Sequence, residues 1–243
     1  MTLCRNFAGY LGAHAPGGYA EYVAAPARNL CAVPDGIDWP QATTIVSAVA
    51  TPLKALKSRA GVRPGDDVVI VGACGGVGIH AVQIAKALGG RVIAVDIDSD
   101  KLTHAERLGA DDVINGQIDD FGVAVRELTQ GKGADVVLEL VGTENTLPAS
   151  FASLATTGRL VVVAFQPGTV FRSDPTRFVD DEITVTGSRY VNYAELAEAA
   201  EWVGAGRVTP VISATHPLAS AEDALAAVAA NRVVGRAPIL PPT

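Results

Sequence analysis

The sequence contains few cysteines, and those it has stand far apart. Cys4, Cys31 and Cys74 are the only three in 243 residues. An odd number at such wide spacing forms neither a disulfide framework nor a self-contained zinc site. Small secreted folds held together by disulfides are therefore excluded, and a reducing, cytoplasmic setting is the expectation.

Long apolar runs and basic segments are scarce as well. The longest apolar run, residues 68–79, is rich in glycine and too short to span a bilayer. The opening MTLCRNFAGY has neither the basic start nor the apolar segment of a signal peptide, so none is expected. Acids outnumber bases by 26 to 19, for a net charge of -7. This balance argues against nucleic acid and against an anionic membrane surface as partners.

From about residue 66 the sequence alternates between strand-like and helix-like segments. Short runs of β-branched and apolar residues predict six strands, and helical spacing of apolar residues predicts helices between them, including 119–129 and 145–155. This alternation predicts an α/β fold with a doubly wound parallel sheet of the Rossmann type. The six predicted strands are 67–71, 91–95, 111–115, 135–141, 159–165 and 182–187.

The two flanks do not follow this alternation. The N-terminal flank contains two strand-like pieces and then one long apolar helix, and the tail contains two helices and a closing strand. Because residues 1–60 are too few to form a core of their own, we expect them to pack with the tail as a partial second lobe. The segments are strands 17–26 and 29–34, helix 39–59, helices 194–205 and 220–231, and strand 237–241.

The segment VIVGACGGVGIHAV, residues 69–82, places four glycines within seven positions between a buried strand and a helix. Gly75 would let the backbone approach a pyrophosphate, Gly78 would let the helix pack close to the strand, and the helix N-terminus would attract negative charge. Asp96 ends the next strand, eighteen positions after Gly78, where it could accept hydrogen bonds from both ribose hydroxyls. We therefore predict a bound dinucleotide rather than a tight turn that binds nothing.

Several motifs in order resemble the medium-chain dehydrogenase/reductase superfamily, specifically its zinc-type alcohol dehydrogenase branch, over practically the whole chain. The resemblance implies a cleft between a dinucleotide-binding domain, here 49–187, and a GroES-like catalytic lobe. That lobe would combine a remnant, 1–48, with a returning C-terminal part, 188–243. The motifs are GGYAEYV, VPDGI, AGVRPGDDVVIVGACGGVGIHAVQIAKALG, AVDIDSDKL, LGADDVIN and GSRYVN.

The same resemblance implies a set of residues that bind the cofactor NAD. It assigns the glycine loop to the pyrophosphate, and Asp96 with Lys101 to the adenosine ribose. It places Thr51 against the nicotinamide ring and Arg236 beside the pyrophosphate. For these two, a helix-interior threonine and a solvated surface base stay open as alternatives. The predicted cofactor-binding residues are Thr51, Gly75, Gly76, Val77, Gly78, Asp96, Lys101, Val141, Ala164 and Arg236.

The zinc ligands of the family are not found in this sequence. The resemblance implies hydride transfer at a Zn²⁺ ion that polarises the substrate oxygen, but the Gly-His-Glu motif is missing, and His14 is followed by alanine. Cys4 resembles the last of four cysteines of a structural zinc lobe, and Ser47, a poor zinc ligand, stands at the third catalytic position. The sequence thus resembles a family member that lacks the N-terminal part of its catalytic domain. No metal-binding residue is predicted, and no catalytic residue is assigned.

The remaining histidines and two strand acids are not expected to form a site. His80, His104 and His216 are each isolated from cysteine or acid at ligand spacing, so packing or surface roles are favoured. Asp135 and Glu139 flank a buried strand and are expected at its ends.

Three functions stay open. The first is an NAD-dependent alcohol dehydrogenase that transfers a hydride between the nicotinamide and an alcohol or carbonyl. The second is a zinc-independent quinone or enoyl reductase, and the third is a nucleotide-binding chain without turnover. Asp96 and Lys101 favour the first, because many zinc-free relatives use NADPH. Relatives commonly pair through an edge strand, so we expect a homo-oligomer, with 159–165 and 182–187 as the candidate strands.

Overall fold

The structure is a computed structural model that describes residues 9–242. Its centre is a six-stranded sheet with the strand order β3-β2-β1-β4-β5-β6, and every neighbouring pair is parallel. The predicted doubly wound α/β sheet is therefore confirmed. The strands are β1 Asp67–Val71, β2 Arg91–Asp96, β3 Asp112–Asn115, β4 Ala134–Glu139, β5 Leu154–Val162 and β6 Thr184–Gly187.

Helices cover both faces of this sheet and enclose one apolar core on each side. In β1, Val68 and Ile70 belong to one core, whereas Val69 and Val71 belong to the other. Successive side chains of a strand point to opposite faces, so a strand buried on both sides is apolar throughout. The helices that follow the first strand are α3 Gly78–Ala87, α4 Ser99–Arg107, α5 Phe121–Leu128, α6 Thr146–Ala152, α7 Pro175–Asp180, α8 Tyr193–Gly204 and α9 Ala221–Ala229.

The predicted helix over 39–59 is present as one helical rod with two wider turns. Asp38 caps its start by accepting a hydrogen bond from the Gln41 amide at 2.8 Å, and Gly61 ends it at a φ of 61°. Pro52 has no amide to donate, which weakens the helical hydrogen bonding around it. The rod comprises α1 Trp39–Thr44, a π-helical turn Ile45–Val49, α2 Ala50–Leu53 and a second π-helical segment Lys54–Ala60.

The two strands predicted in the N-terminal flank are wrong. The structure forms no strand between residues 16 and 38, and only a short 3-10 turn, Ala27–Asn29, interrupts the irregular chain. A strand is stable only beside a partner, and no other described strand lies next to these residues. Tyr19 and Tyr22, in the first of the two predicted strands, are accordingly exposed.

Among the strand boundaries, those of β5 differ most from the prediction. β5 begins at Leu154 instead of residue 159, because its first residue pairs with Ala134 before a register shift. It ends at Val162, so Ala164 lies in the following loop. β5 is paired on both sides, so of the two candidate edge strands only β6 is at an edge.

After α8 the tail forms a separate two-stranded sheet. The closing strand is only two residues long, β8 Ile239–Leu240, and it pairs in parallel with β7, His216–Pro217. A separate bridge joins Ile212 to Arg236. Among residues 9–242 no helix has the length and apolar content that a membrane span requires.

Candidate functional site

The glycine loop after β1 is a tight turn on which α3 packs directly. Gly72 has a φ of +79°, and a Cβ atom on Gly78 would lie 2.0 Å from the Gly72 carbonyl oxygen. Gly75 differs, because it is exposed and a Cβ there would meet only the Gly72 oxygen, at 3.5 Å. No side chain caps the start of α3, which leaves a helix N-terminus available to an anion. The loop therefore has open space at Gly75 and close packing at Gly78.

Asp96 is placed at the carboxyl end of β2, directly beside this loop. Its Oδ2 accepts a hydrogen bond from the Cys74 amide, and its Oδ1 accepts one from the Ile97 amide, each at 2.8 Å. A carboxylate has about four acceptor sites, so each oxygen can accept a further bond from a ligand. Burial and the charge of Asp96 raise the pKa of the Cys74 thiol, which keeps it protonated. Asp96 thus orders the loop and keeps capacity to accept further hydrogen bonds.

Arg236 reaches the glycine loop from the tail. A Cβ on Gly76 would lie only 2.7 Å from its Nε, so the guanidinium is packed against this glycine. Its Nη2 donates to the Ser47 hydroxyl at 3.2 Å, and its Nε is buried without a hydrogen-bond partner. Burial lowers the pKa of Arg236, although a guanidinium stays charged in proteins. A partly buried cation that forms no ion pair with the described acids is suited to an anionic ligand.

A cleft of about 810 Å³ opens between the helical rod, the loops after β5 and β6, and Arg236. Four of the predicted cofactor-binding residues line it, namely Thr51, Val77, Ala164 and Arg236. Gly76 adjoins this cleft through Arg236. The lining residues are Ser47, Thr51, Lys54, Arg59, Val77, Val162, Val163, Ala164, Phe165, Gly187, Ser188, Arg189, Tyr190 and Arg236.

The other six predicted residues are not part of this lining, and among them are Lys101 and Val141. The Lys101 ammonium donates to the Asn231 side chain at 2.8 Å and to the Val233 carbonyl at 3.1 Å, so it is already held by the tail. Val141 packs against the turn, since a Cβ on Gly72 would lie 2.9 Å from its Cγ2. Val141 is therefore close to the loop, whereas the Lys101 side chain is occupied by other contacts.

The structure also brings polar residues to the cleft that the sequence did not single out. Ser188 is buried, and its hydroxyl has no hydrogen-bond partner. The Lys54 ammonium donates to the carbonyls of Arg189 and Tyr190, at 3.3 Å and 3.1 Å. The available signal was the position of GSRYVN at the carboxyl end of a predicted strand, which is where parallel sheets bind ligands.

Glu139 is the last residue of β4, as expected, and its side chain is fully buried. Its Oε1 accepts from the Val141 and Gly142 amides at 2.7 Å and 2.8 Å, and its Oε2 accepts from the Ser150 hydroxyl at 2.9 Å. The carboxylate shapes the turn after β4, which carries Val141.

The cleft does not offer a zinc site in the part of the chain that the structure describes. None of the lining side chains is a cysteine, histidine, aspartate or glutamate, and residues 9–242 hold no cluster of three or more such groups. Ser47 is engaged with Arg236, and the His14 Nδ1 accepts from the Tyr10 amide at 3.2 Å. Cys4 lies outside the described residues. The donor set in this cleft does not fit a catalytic zinc ion.

Comparison with known proteins gives consistent matches. The family described as zinc-binding dehydrogenase matches residues 76–205. An NAD-dependent alcohol dehydrogenase of Sulfurisphaera tokodaii is 33% identical over an alignment of 240 residues. The alignment covers 96% of this chain and 67% of that protein. The crystal structure of AibC matches with a TM-score of 0.92 at 35% identity. The match covers 100% of this chain and 67% of the AibC chain.

A further solved structure, the alcohol dehydrogenase from Aeropyrum pernix, has a TM-score of 0.87 at 33% identity. It covers 94% of this chain, and the matched part is 67% of that enzyme. The chain thus spans about two thirds of the length of the proteins it matches.

Proposed function

Because the chain belongs to the zinc-type alcohol dehydrogenase branch of the medium-chain dehydrogenase/reductase superfamily, an oxidoreductase family, we propose that it binds NAD(H) across the glycine loop. The proposed reaction is hydride transfer between the nicotinamide and an alcohol or carbonyl substrate. The observation that carries the proposal is the buried, unpartnered Nε of Arg236, packed against Gly76. An arginine in such a position is explained by a pyrophosphate that supplies the missing negative charge.

The residues of this chain fit such a cofactor along its whole length. Arg236 and the uncapped start of α3 would hold the pyrophosphate, and exposed Gly75 would allow its close approach. Asp96 would accept from the adenosine ribose, while Thr51 and Ala164 in the cleft would flank the nicotinamide ring. When bound, NAD(H) supplies or accepts the hydride, and the protein orients the ring and neutralises the phosphates.

Charge at the ribose position favours NAD(H) over NADP(H). The Asp96 carboxylate would repel a 2′-phosphate, and like-charge juxtaposition of this kind costs several kcal/mol. The Lys101 ammonium is already bonded to Asn231 and Val233, so it is poorly placed to neutralise that phosphate. The NAD-dependent relative from Sulfurisphaera tokodaii is consistent with this preference.

The lack of zinc-ligating side chains in the described cleft favours a second candidate, a zinc-independent quinone or enoyl reductase. In that reaction the hydride goes to a conjugated carbon, and no metal needs to polarise an alcohol. Binding without turnover is the third possibility. We also propose the division into 1–48, 49–187 and 188–243, a cytoplasmic location, and self-association through the edge strand β6.

Cofactor binding can be tested with two glycine substitutions. Gly75→Ala adds a methyl group that the fold tolerates, since the nearest atom is 3.5 Å away. The methyl would stand between the loop backbone and the pyrophosphate. We expect it to weaken NADH binding by about tenfold or more in a fluorescence titration. Gly18→Ala is the matched control, because a Cβ there meets nothing within 4 Å, and it should leave NADH affinity unchanged. Equal NADH affinity in the Gly75 variant would contradict the proposed site.

Turnover then separates the three candidate functions. Oxidation of NADH in the presence of aldehydes or ketones supports the dehydrogenase, and oxidation only with quinones or enoyl thioesters supports the reductase. Tight NADH binding without oxidation by either class supports a binding protein. An unmodified chain that binds no dinucleotide would overturn all three.

A further inference from the structure

Two buried polar side chains on α3 hold the returning tail against the cofactor helix. His80 is fully buried and Gln83 is nearly so, at 0% and 8% exposure. They are three residues apart and therefore on the same side of the helix. Both contact the backbone of residues 209–211, more than 120 positions later in the sequence. Most buried polar groups in proteins are hydrogen-bonded, and both of these are.

His80 links the tail to the glycine loop itself. Its Nδ1 lies 3.0 Å from the Gly76 carbonyl oxygen, and its Nε2 accepts a hydrogen bond from the Val211 amide at 3.0 Å. A carbonyl oxygen only accepts and an amide only donates, so the ring must be neutral with its proton on Nδ1. Burial lowers the pKa of His80 to about 4, and the nearby Arg236 charge adds to this effect. The imidazole is therefore a fixed connector at neutral pH.

The connection continues to Arg236 and closes on the loop. The Val211 carbonyl accepts from the Arg236 amide at 2.9 Å, and a Cβ on Gly235 would lie 2.3 Å from the same carbonyl. The Arg236 guanidinium in turn packs against Gly76, whose carbonyl faces His80. Contacts thus run from Gly76 through His80, Val211 and Arg236 and return to Gly76.

Gln83 provides a natural contrast. Its Nε2 donates to the Thr209 carbonyl at 3.0 Å, and its Oε1 accepts from the Thr209 amide at 2.8 Å. This pairing docks the tail as firmly as His80 does, with two hydrogen bonds. It makes no contact with the glycine loop, because its other bond goes to the Ile79 carbonyl within the helix.

We propose that His80 is a positioning residue that sets the Arg236 guanidinium over the glycine loop for the pyrophosphate of the cofactor. This assignment rests on the proposed dinucleotide binding. His80 itself touches no cofactor, and it acts through Val211 and Arg236. Gln83 docks the same segment but contributes to stability only.

A double-mutant cycle tests this assignment. His80→Phe keeps a flat aromatic ring, slightly larger than imidazole, and removes both hydrogen bonds. Gln83→Leu likewise replaces a polar side chain by an apolar one of similar size and removes its hydrogen bonds at the control position. We expect His80→Phe to weaken NADH binding by about tenfold, and Gln83→Leu to weaken it less than about twofold, although both lower the midpoint of urea unfolding. In an Arg236→Leu background, His80→Phe should change NADH affinity by less than about twofold, because the residue it positions is gone. Additive losses from His80→Phe and Arg236→Leu, or equal losses from the two α3 variants, would overturn the proposal.

Amide hydrogen exchange on the unliganded protein gives a readout that needs no cofactor. His80→Phe should accelerate exchange at the Val211 and Arg236 amides well beyond the effect of Gln83→Leu, which should act mainly at Thr209. Unchanged exchange at Arg236 in the His80 variant would refute the positioning role. A wild-type chain that binds no NADH would refute the proposed function instead, and the exchange data would still decide on His80.

Discussion

Acidification should destabilise this protein through one side chain, His80. The folded state holds the ring neutral, because the Val211 amide donates to Nε2 and the Gly76 carbonyl accepts a hydrogen bond from Nδ1–H. Its pKa is lowered from 6.5 to about 4 in the folded protein. A lowered histidine pKa means that the unfolded chain binds the proton more readily, so stability falls as the pH falls below 6.5.

The expected loss follows from these two pKa values. A shift of about 2.5 units corresponds to about 3 kcal/mol of unfolding free energy when the pH has fallen below both values. Most of this loss of unfolding free energy occurs between pH 7 and pH 5, where it amounts to about 2 kcal/mol. That is a large part of a total stability of about 5–15 kcal/mol.

Urea unfolding monitored by tryptophan fluorescence measures this loss. Trp202 is buried with the Arg207 guanidinium 3.6 Å from its ring centre, so its emission should report unfolding. The stability gap between the wild type and His80→Phe should shrink by about 2 kcal/mol from pH 7 to pH 5. The difference in stability between the wild type and Gln83→Leu should be the same at both pH values, because glutamine does not titrate. If the difference in stability between the wild type and His80→Phe does not change with pH, the ring is not held neutral by burial.

Other consequences can be tested separately. Asp96→Ala should remove most of a preference for NADH over NADPH that we expect to be about a hundredfold in the wild type, as measured by titrating both cofactors at one salt concentration. Elemental analysis after dialysis should find no tightly held catalytic zinc, because the described cleft lacks zinc-ligating side chains. One zinc per chain would contradict this expectation. Gly78→Ala should cost about 3 kcal/mol or more or prevent folding, because its Cβ would lie 2.0 Å from the Gly72 oxygen, and thermal unfolding measures this. Glu139→Gln should change the free energy of unfolding by less than about 1 kcal/mol, because the Ser150 hydroxyl can turn to accept from the new side-chain amide. Glu139→Leu should cost about 3 kcal/mol, because it leaves the Val141 and Gly142 amides without an acceptor. A Glu139→Gln protein that is folded but inactive would instead indicate a proton-transfer role.

The sheet could be predicted from the sequence because its signals are local. A strand such as DVVIV in β1 is marked by β-branched residues, and the glycines after it mark the turn. The flank at 17–26 is also strand-like in sequence, but it pairs with no strand in the described part of the chain. Pairing is a long-range property that a local pattern does not contain, so that prediction failed.

The residues of the candidate site also differ in whether a local sequence pattern marks them. Gly75 and Asp96 are marked by a motif whose spacing reflects the cofactor. Arg236 was suggested only by resemblance, and its packing on Gly76 depends on the fold. His80 was expected to be a packing or surface residue, and its partner at position 211 is 131 residues away. No spacing rule connects two such positions.

The two cores of the sheet imply that neighbouring sequence positions can evolve separately. Val69 and Ile70 are adjacent in the chain, yet the sheet separates their side chains and each shares its surroundings with distant residues. Substitutions at sites without shared contacts usually combine additively. Repacking one face of this sheet should therefore leave the tolerance of the opposite face unchanged, so a library could vary each face independently and the best variants could then be combined.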